Sequence, residues 1–205
     1  MKLFFHYCSY GFGNCYVLGT DPPDKRGAII VDPAEVEGQI LGFIENNDYP
    51  LLGVLVTHDH IKHVRGLRTL KKIYDTEIFA VNPHIREHRT TMVRDGETVN
   101  IGPFKIEVIS TPGHSSDSAV FRIDRMLFTG DTMSAGLLGS TASSYGAAVQ
   151  MTALRSKILS LPGDFIVLPA HGPPSTLEAE RRYNAGIQSY DEIRNRRPAF
   201  NLDLS

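Results

Sequence analysis

The chain has 205 residues, 41% of them hydrophobic, with a formal charge of -2 and a pI near 6.4. That length suffices for one well-buried core, read as a single domain over residues 1–205, and the near-neutral balance supplies no basic field to gather phosphate backbones, so nucleic acid is not an implied partner. No apolar run approaches the roughly 20 residues that span a bilayer, and MKLFFHYCSY lacks the long apolar segment of a secretion signal, so the expectation is a cytoplasmic protein with no membrane partner.

Lys2 to Tyr7, Cys15 to Thr20 and Ala28 to Asp32 read as three strands of a meander, the last two joined by a proline- and glycine-punctuated turn from Asp21 to Gly27. Gly11-Phe12-Gly13-Asn14 between the first two is a turn, because a phosphate loop needs a helix amino terminus behind it and no helical pattern follows. Cys8 and Cys15 could pair across this hairpin, but they form no CxxC and stand apart from the histidine clusters, so they read as reduced thiols without a catalytic or metal role. His6 reads as an ordinary half-buried histidine. Val36 to Asn46 carries Ile40, Leu41 and Ile44 on one helical face. Leu51 to Val56 is short, apolar and branched, an interior strand. Val64, Leu67, Leu70 and Ile73 then form the core stripe of a helix, and Thr76 to Val81 is a further strand. This strand-helix-strand-helix-strand run predicts parallel pairing in a layered α/β domain.

Pro83 opens a short polar helix in this reading. It holds His84-Ile85-Arg86-Glu87-His88, which fits the HxxEH pattern of some zinc peptidases. With Arg86, Arg89 and Arg94 around it, the segment reads as a solvated helix rather than a metal site. Thr98 to Ile101 and Phe104 to Ser110 form a hairpin through Gly102-Pro103, and the second strand delivers Thr111-Pro112-Gly113-His114. Ser118 to Ile123 and Met126 to Thr129 pair around Asp124-Arg125 and end in Gly130-Asp131-Thr132. Met133 to Gly146 is a long glycine-rich loop. Ala147 to Leu161 is helical, Phe165 to Pro169 is a strand ending in Ala170-His171-Gly172, and Ser175 with Glu178 predicts a capping box for the last helical region.

Strand ends thus present His58, His60 and His63 within Thr57-His58-Asp59-His60-Ile61-Lys62-His63, then His114, Asp131 and His171, and five of the eight histidines fall at such positions. Neutral imidazole is a common ligand for zinc, and strand ends are where α/β proteins keep their chemistry. In order and local wording this set resembles the metallo-β-lactamase superfamily: HxHxDH, TPGH, GDT and a late AHG. Within it, Phe128-Thr129-Gly130-Asp131-Thr132, Leu161-Pro162-Gly163-Asp164, Pro169-Ala170-His171-Gly172-Pro173-Pro174-Ser175-Thr176 and Glu180-Arg181-Arg182-Tyr183-Asn184 are similar to the glyoxalase II-like hydrolases. The resemblance implies an α/β fold, an αβ/βα sandwich of two mixed sheets flanked by helices, with metal at one edge. It implies that His58, His60, His114 and Asp131 hold a first ion and that His63, His171 and the bridging Asp131 hold a second. The larger glyoxalase II enzymes add a helical domain that grips the glutathionyl portion, for which 205 residues leave little room. The superfamily's nucleases insert a domain before the last histidine, and the interval from Asp131 to His171 has no room for one.

The chain departs from HxHxDH at one place, where Lys62 replaces an aspartate that ligates the second metal. A lysine removes an anionic ligand and adds a cation, so one ion is favoured over two, and Lys62 is expected either to pair with Asp131 near the second position or to point to solvent. Zinc is the expected metal, with iron as the alternative. Asp131 and Lys62 are the candidate catalytic residues, Asp131 to orient water and Lys62 to stabilise developing negative charge. The reaction implied is hydrolysis of a thioester, lactone or related ester in a small-molecule substrate. A mononuclear iron enzyme resembling the persulfide dioxygenases of the family, and a ligand-binding homologue in which Lys62 has ended catalysis, stay open as alternatives. The pocket loops are expected at Tyr10 to Asn14 and Met133 to Gly146, with Tyr145 on the surface. Oligomeric state is not legible.

Overall fold

The computed structural model describes residues 1–22 and 25–196. The first half of the chain supplies β1 (Lys2–Cys8), β2 (Gly13–Thr20), β3 (Gly27–Val31), β4 (Leu51–Leu55) and β5 (Glu77–Ala80), then the small hairpin β6 (His84–Ile85) and β7 (His88–Arg89), and β8 (Thr91–Met92). The second half supplies β9 (Thr98–Ile101), β10 (Phe104–Ser110), β11 (Ala119–Ile123), β12 (Met126–Gly130), the hairpin β13 (Met133–Ser134) and β14 (Leu137–Leu138), and then β15 (Ile166–Pro169) and β16 (Ser175–Thr176). The helices are α1 (Gly38–Glu45), α2 (Ile61–Val64), α3 (Leu67–Ile73), α4 (Ser144–Ala153), α5 (Leu177–Tyr183) and α6 (Ala185–Arg196).

Two six-stranded sheets run β1-β2-β3-β4-β5-β8 and β16-β15-β12-β11-β10-β9. In the first, the meander β1 to β3 is antiparallel, β3, β4 and β5 are parallel because α1 and then α2 and α3 carry the chain back to the same edge, and β8 joins β5 in parallel after the β6–β7 hairpin. The second is antiparallel except for the parallel pair of β12 and β15, joined through α4. Tyr16, Leu18, Ile29, Val31 and Leu55 of the first sheet meet Ile106, Val108, Phe121, Phe128 and Leu168 of the second in an inter-sheet core. A second apolar layer lies between the first sheet and α1 and α3, through Ile40, Ile44, Leu67 and Leu70. A third lies outside the second sheet, where Leu154, Ile158 and Leu177 cover Val120, Leu127 and Val167. The expected αβ/βα sandwich is the observed architecture. Truncating a side chain such as Phe121 or Phe128 between the sheets costs roughly 3–5 kcal/mol, so the inter-sheet core fixes the two sheets' relative position and with it the strand ends.

Several local expectations are corrected. The segment after Pro83 is a hairpin, not a helix: His84 pairs with Arg89 and Ile85 with His88, and Arg86 turns the chain at φ 53°. Ile85 is fully buried and is the segment's one core anchor, which a two-residue strand supplies without a helical face. Ile73 is 49% exposed and leaves the α3 stripe to Leu67 and Leu70, with Val64 in the preceding turn. The Met133 to Gly146 segment contains the β13–β14 hairpin, and α4 begins at Ser144 because Ser143 caps it by accepting from the Gly146 amide, before the helix ends in a π turn at Leu154–Ile158. α5 is capped by Thr176, which accepts from the Ala179 amide, so the predicted Ser175–Glu178 box does not form; Ser175 Oγ donates to Glu180 instead. His6 is buried rather than half-buried. Both cysteines are free and buried, and burial pushes the Cys8 thiol up to about 11 and Cys15 well above its usual value. Pro23 and Asp24 of the predicted turn lie outside the described residues. Among the described residues no helix is long and apolar enough to cross a membrane.

Candidate metal centre

The carboxyl end of β4 delivers the histidine loop, that of β10 delivers His114, that of β12 delivers Asp131, and that of β15 delivers His171. The sandwich brings all four ends to one edge. Among the described residues two groups of ligand atoms converge there, His58, His60, His114 and Asp131 in one and His63, Asp131 and His171 in the other, each with its atoms within 4.8 Å of one another. Asp131 belongs to both.

In the first group His58 Nε2 lies 2.9 Å and His114 Nε2 3.1 Å from His60 Nδ1, and Asp131 Oδ2 stands 3.9 Å from His58 and 3.5 Å from His114. The three imidazole planes are close to mutually perpendicular, at 76°, 80° and 89°, so their in-plane lone pairs point at a common space from three directions. Hydrogen bonds behind the rings decide which nitrogens are bare. Thr57 Oγ1 donates its one proton to Asp32 Oδ2 at 2.7 Å, so at 3.1 Å from His58 Nδ1 it accepts, which leaves His58 Nε2 without a proton. His114 Nδ1 donates to the Ser140 carbonyl at 2.7 Å, which likewise bares its Nε2. His60 Nδ1 can hold at most one proton for these two acceptors, so at least one lone pair here meets no donor. A cation resolves that arrangement, and the donor set fits zinc or iron.

In the second group His63 Nε2 is 3.5 Å from Asp131 Oδ2 and His171 Nε2 is 3.6 Å from Asp131 Oδ1, with the two rings at 90°. His171 Nδ1 donates to the Phe12 carbonyl at 3.0 Å. His63 Nδ1 is 3.2 Å from Asp32 Oδ2, and its buried Nε2 makes no hydrogen bond, a second observation that suits an ion.

The electrostatics divide the histidines. Burial, reinforced by the positive charge of His63, lowers His58 to about 3, and burial also lowers His60, followed by His114 and His63, so both are neutral and ready to ligate near pH 7. Burial pulls His63 down too, but the carboxylates of Asp131 and Asp32 more than reverse it and lift it to about 9. Burial pushes the Asp131 carboxyl up, and His63, His171 and His58 outweigh it to hold it below the usual carboxylate range. An ion bound through His63 would therefore have to displace a proton.

All six expected ligand residues come together. Lys62 does not join them: it is exposed, and among the described residues no carboxylate lies within ion-pair distance, so the expected pairing with Asp131 is not formed. His84 and His88 belong to neither group. Both expected pocket loops border the site, since a Cβ on Gly13 would stand 3.6 Å from His171 Cε1 and one on Gly139 would strike the Asp131 carbonyl, and Tyr145 is exposed. Sequence reasoning missed Asp32 and Asp117. Asp32 accepts from the Thr57 amide and hydroxyl and meets His63, while Asp117 Oδ2 accepts from the amide of Asp59 and from Asn82 Nδ2. Neither carries a motif; a carboxylate directly after an apolar strand, as at Asp32, was the available signal.

Comparison with known proteins agrees with this geometry. The sequence matches the metallo-beta-lactamase superfamily over residues 9–171. An uncharacterized protein of Mycobacterium tuberculosis is 31% identical, over 85% of this chain and 92% of its own length. A protein of Idiomarina loihiensis named hydroxyacylglutathione hydrolase is 32% identical, over 88% of this chain and 72% of its own. Among solved structures, ETHE1 from Myxococcus xanthus superposes with a TM-score of 0.80 at 23% identity, over all of this chain and 92% of that one, which shows a shared fold. With the match spanning residues 9–171 and ending at the last of the clustered histidines, the chain belongs to the metallo-β-lactamase superfamily.

Proposed function

We propose that the chain is a metal-dependent hydrolase that cleaves a thioester, lactone or related ester, with one ion held by His58, His60, His114 and Asp131. The observation that carries this reading is the convergence of three mutually perpendicular imidazoles, two of which, His58 and His114, have their outer nitrogens fixed by Thr57 and Ser140. Support comes also from relatives named hydroxyacylglutathione hydrolase, at 32% identity over most of this chain. Zinc is the metal of this reading, because nitrogen-rich sets with an open position suit catalytic zinc.

When bound, a divalent ion in this set acidifies a water and polarises a carbonyl. The protein's own groups do the rest. Asp131, anionic and shared by both clusters, accepts a hydrogen bond from the attacking water and orients it; its depressed pKa makes it an orienting group rather than a strong base. No serine or cysteine nucleophile is required, and Cys8 and Cys15 are buried with their thiols held protonated. Charge balance favours a single ion, although the second cluster offers ligand atoms for another. One carboxylate shared between two dications leaves a large excess of positive charge, and Lys62 stands where a further carboxylate would have offset it.

Metal per chain, measured by mass spectrometry on the native protein and on Lys62→Asp, tests this together with thioester and lactone hydrolysis. The expected result is one zinc in the native protein, two in the variant, and hydrolysis abolished by chelation. Two ions in the native protein overturn the single-ion reading. Iron with oxygen uptake on a persulfide overturns the hydrolase reading, and no metal with no turnover points to a ligand-binding protein.

A further inference from the structure

We infer that Lys62 anchors the substrate, and that the substrate carries a carboxylate close to its scissile carbonyl. The inference rests on the hydrolase reading and adds the substrate class. Lys62 lies in α2 between Ile61 and His63, and its backbone carbonyl borders the second cluster: a Cβ on Gly13 would stand 3.6 Å from Lys62 O and 3.6 Å from His171 Cε1. Two atoms that near a common point are at most about 7 Å apart, so the Lys62 backbone lies at the rim of the second cluster. The first carbons of the side chain run against the β1–β2 loop. A Cβ on Gly11 would come 2.9 Å from Lys62 Cβ and 3.0 Å from Cγ, and Gly11 adopts φ 73°, so glycine there both permits the turn and makes room for the lysine stem.

The neighbouring cations are already engaged. Arg65 lies 4.0 Å over the Tyr10 ring and 3.9 Å from Glu35, and Arg86 is 3.0 Å from Asp59. Lys62 meets no carboxylate among the described residues, although its stem is held. The charges at the centre point the same way: a dication held by three imidazoles and the single carboxylate of Asp131 leaves a net positive centre that an anionic substrate completes. A single ammonium with no arginine fork beside it suits a singly charged carboxylate better than a phosphate dianion.

The test uses the metal-loaded protein and two thioesters of N-acetylcysteamine that differ only in this group, succinyl with a terminal carboxylate and butanoyl with a methyl in its place. The native protein is expected to prefer the succinyl thioester. Lys62→Met is expected to reduce the succinyl-to-butanoyl ratio of kcat/KM by about tenfold or more, the scale of one charge-assisted contact, chiefly through KM, while Lys62→Arg keeps most of it. Calorimetric titration with succinate should show binding about tenfold weaker in Lys62→Met. Both thioesters cleaved with the ratio and the succinate affinity unchanged in Lys62→Met would overturn the assignment and leave the hydrolase intact. Neither thioester cleaved, with succinate binding still weakened in Lys62→Met, would remove the hydrolase reading and keep the anion site.

Discussion

Asp32 closes β3 at φ 48°, buried, and both its carboxylate oxygens serve the histidine loop: Oδ1 accepts from the Thr57 amide at 2.8 Å, and Oδ2 accepts from the Thr57 hydroxyl and meets His63 Nδ1. Through Thr57 it fixes the tautomer of His58, and directly it fixes His63, so one residue that ligates nothing orients a ligand in each cluster. Asp32→Asn keeps the volume, but with its Oδ1 on the Thr57 amide its amide nitrogen takes the place of Oδ2 against the Thr57 hydroxyl and His63 Nδ1–H, so a donor faces donors. Partners of this kind alter metal affinity by about 10–100-fold, and an unsatisfied buried donor costs on the order of 1–3 kcal/mol. Chelator-competition titration should therefore show zinc held at least tenfold more weakly in Asp32→Asn, with a lowered melting temperature; native affinity would show that the loop holds its geometry without Asp32. The ligands themselves were legible because His58, His60, His63, His114, Asp131 and His171 carry their spacing in the sequence. Asp32 was not, since its role runs through a threonine 25 residues away.

The loop that aims His114 depends on packing against α4. Gly113 has φ 140°, and a Cβ there would lie 2.4 Å from Gln150 Cβ and 2.6 Å from the Gln150 backbone nitrogen, so the obstacle is the helix itself. Gln150 in turn donates from Nε2 to the Thr132 carbonyl at 2.8 Å, tying the same helix to the strand end that carries Asp131. Gly113→Ala combines an unfavourable backbone with overpacking, each about 1–3 kcal/mol. The expected loss is about 3 kcal/mol in chemical denaturation, together with weakened metal binding as His114 moves; a change below about 1 kcal/mol would mean that α4 shifts freely. At this scale the long strands and their order were readable from alternation and apolar runs. The hairpin at His84–Arg89 was not, because two-residue strands have no period to detect, and a proline before polar residues reads equally as a helix start.

Across the whole molecule the architecture was legible because sheets, helices and ligands all follow one repeated device, a strand whose end carries a functional side chain, whereas the ion count was not, because it depends on charge balance among residues far apart in sequence. That balance has a consequence for stability. His63 rises from 6.5 to about 9 on folding, so its contribution is complete below pH 6.5 and is lost as pH rises through 9. Over that window the folded chain holds a proton the unfolded chain lacks, and stability falls by about 1.4 kcal/mol per pH unit. His58 moves the other way, from 6.5 to about 3, so it destabilises the fold progressively as pH drops below 6.5. The metal-free protein should therefore be most stable near pH 6.5, and His63→Gln should flatten the alkaline limb. Loading distinguishes the two stoichiometries without any assay of turnover. One ion on His58, His60, His114 and Asp131 draws off part of the Asp131 charge but leaves His63 its Asp32 partner and its proton, so a reduced alkaline slope persists, whereas a second ion on His63 and His171 displaces that proton and the slope disappears. Denaturant unfolding at a series of pH values from 6.5 to 9, with and without zinc, reads this directly: a slope that survives loading supports the single-ion site, and one that vanishes assigns two ions to it.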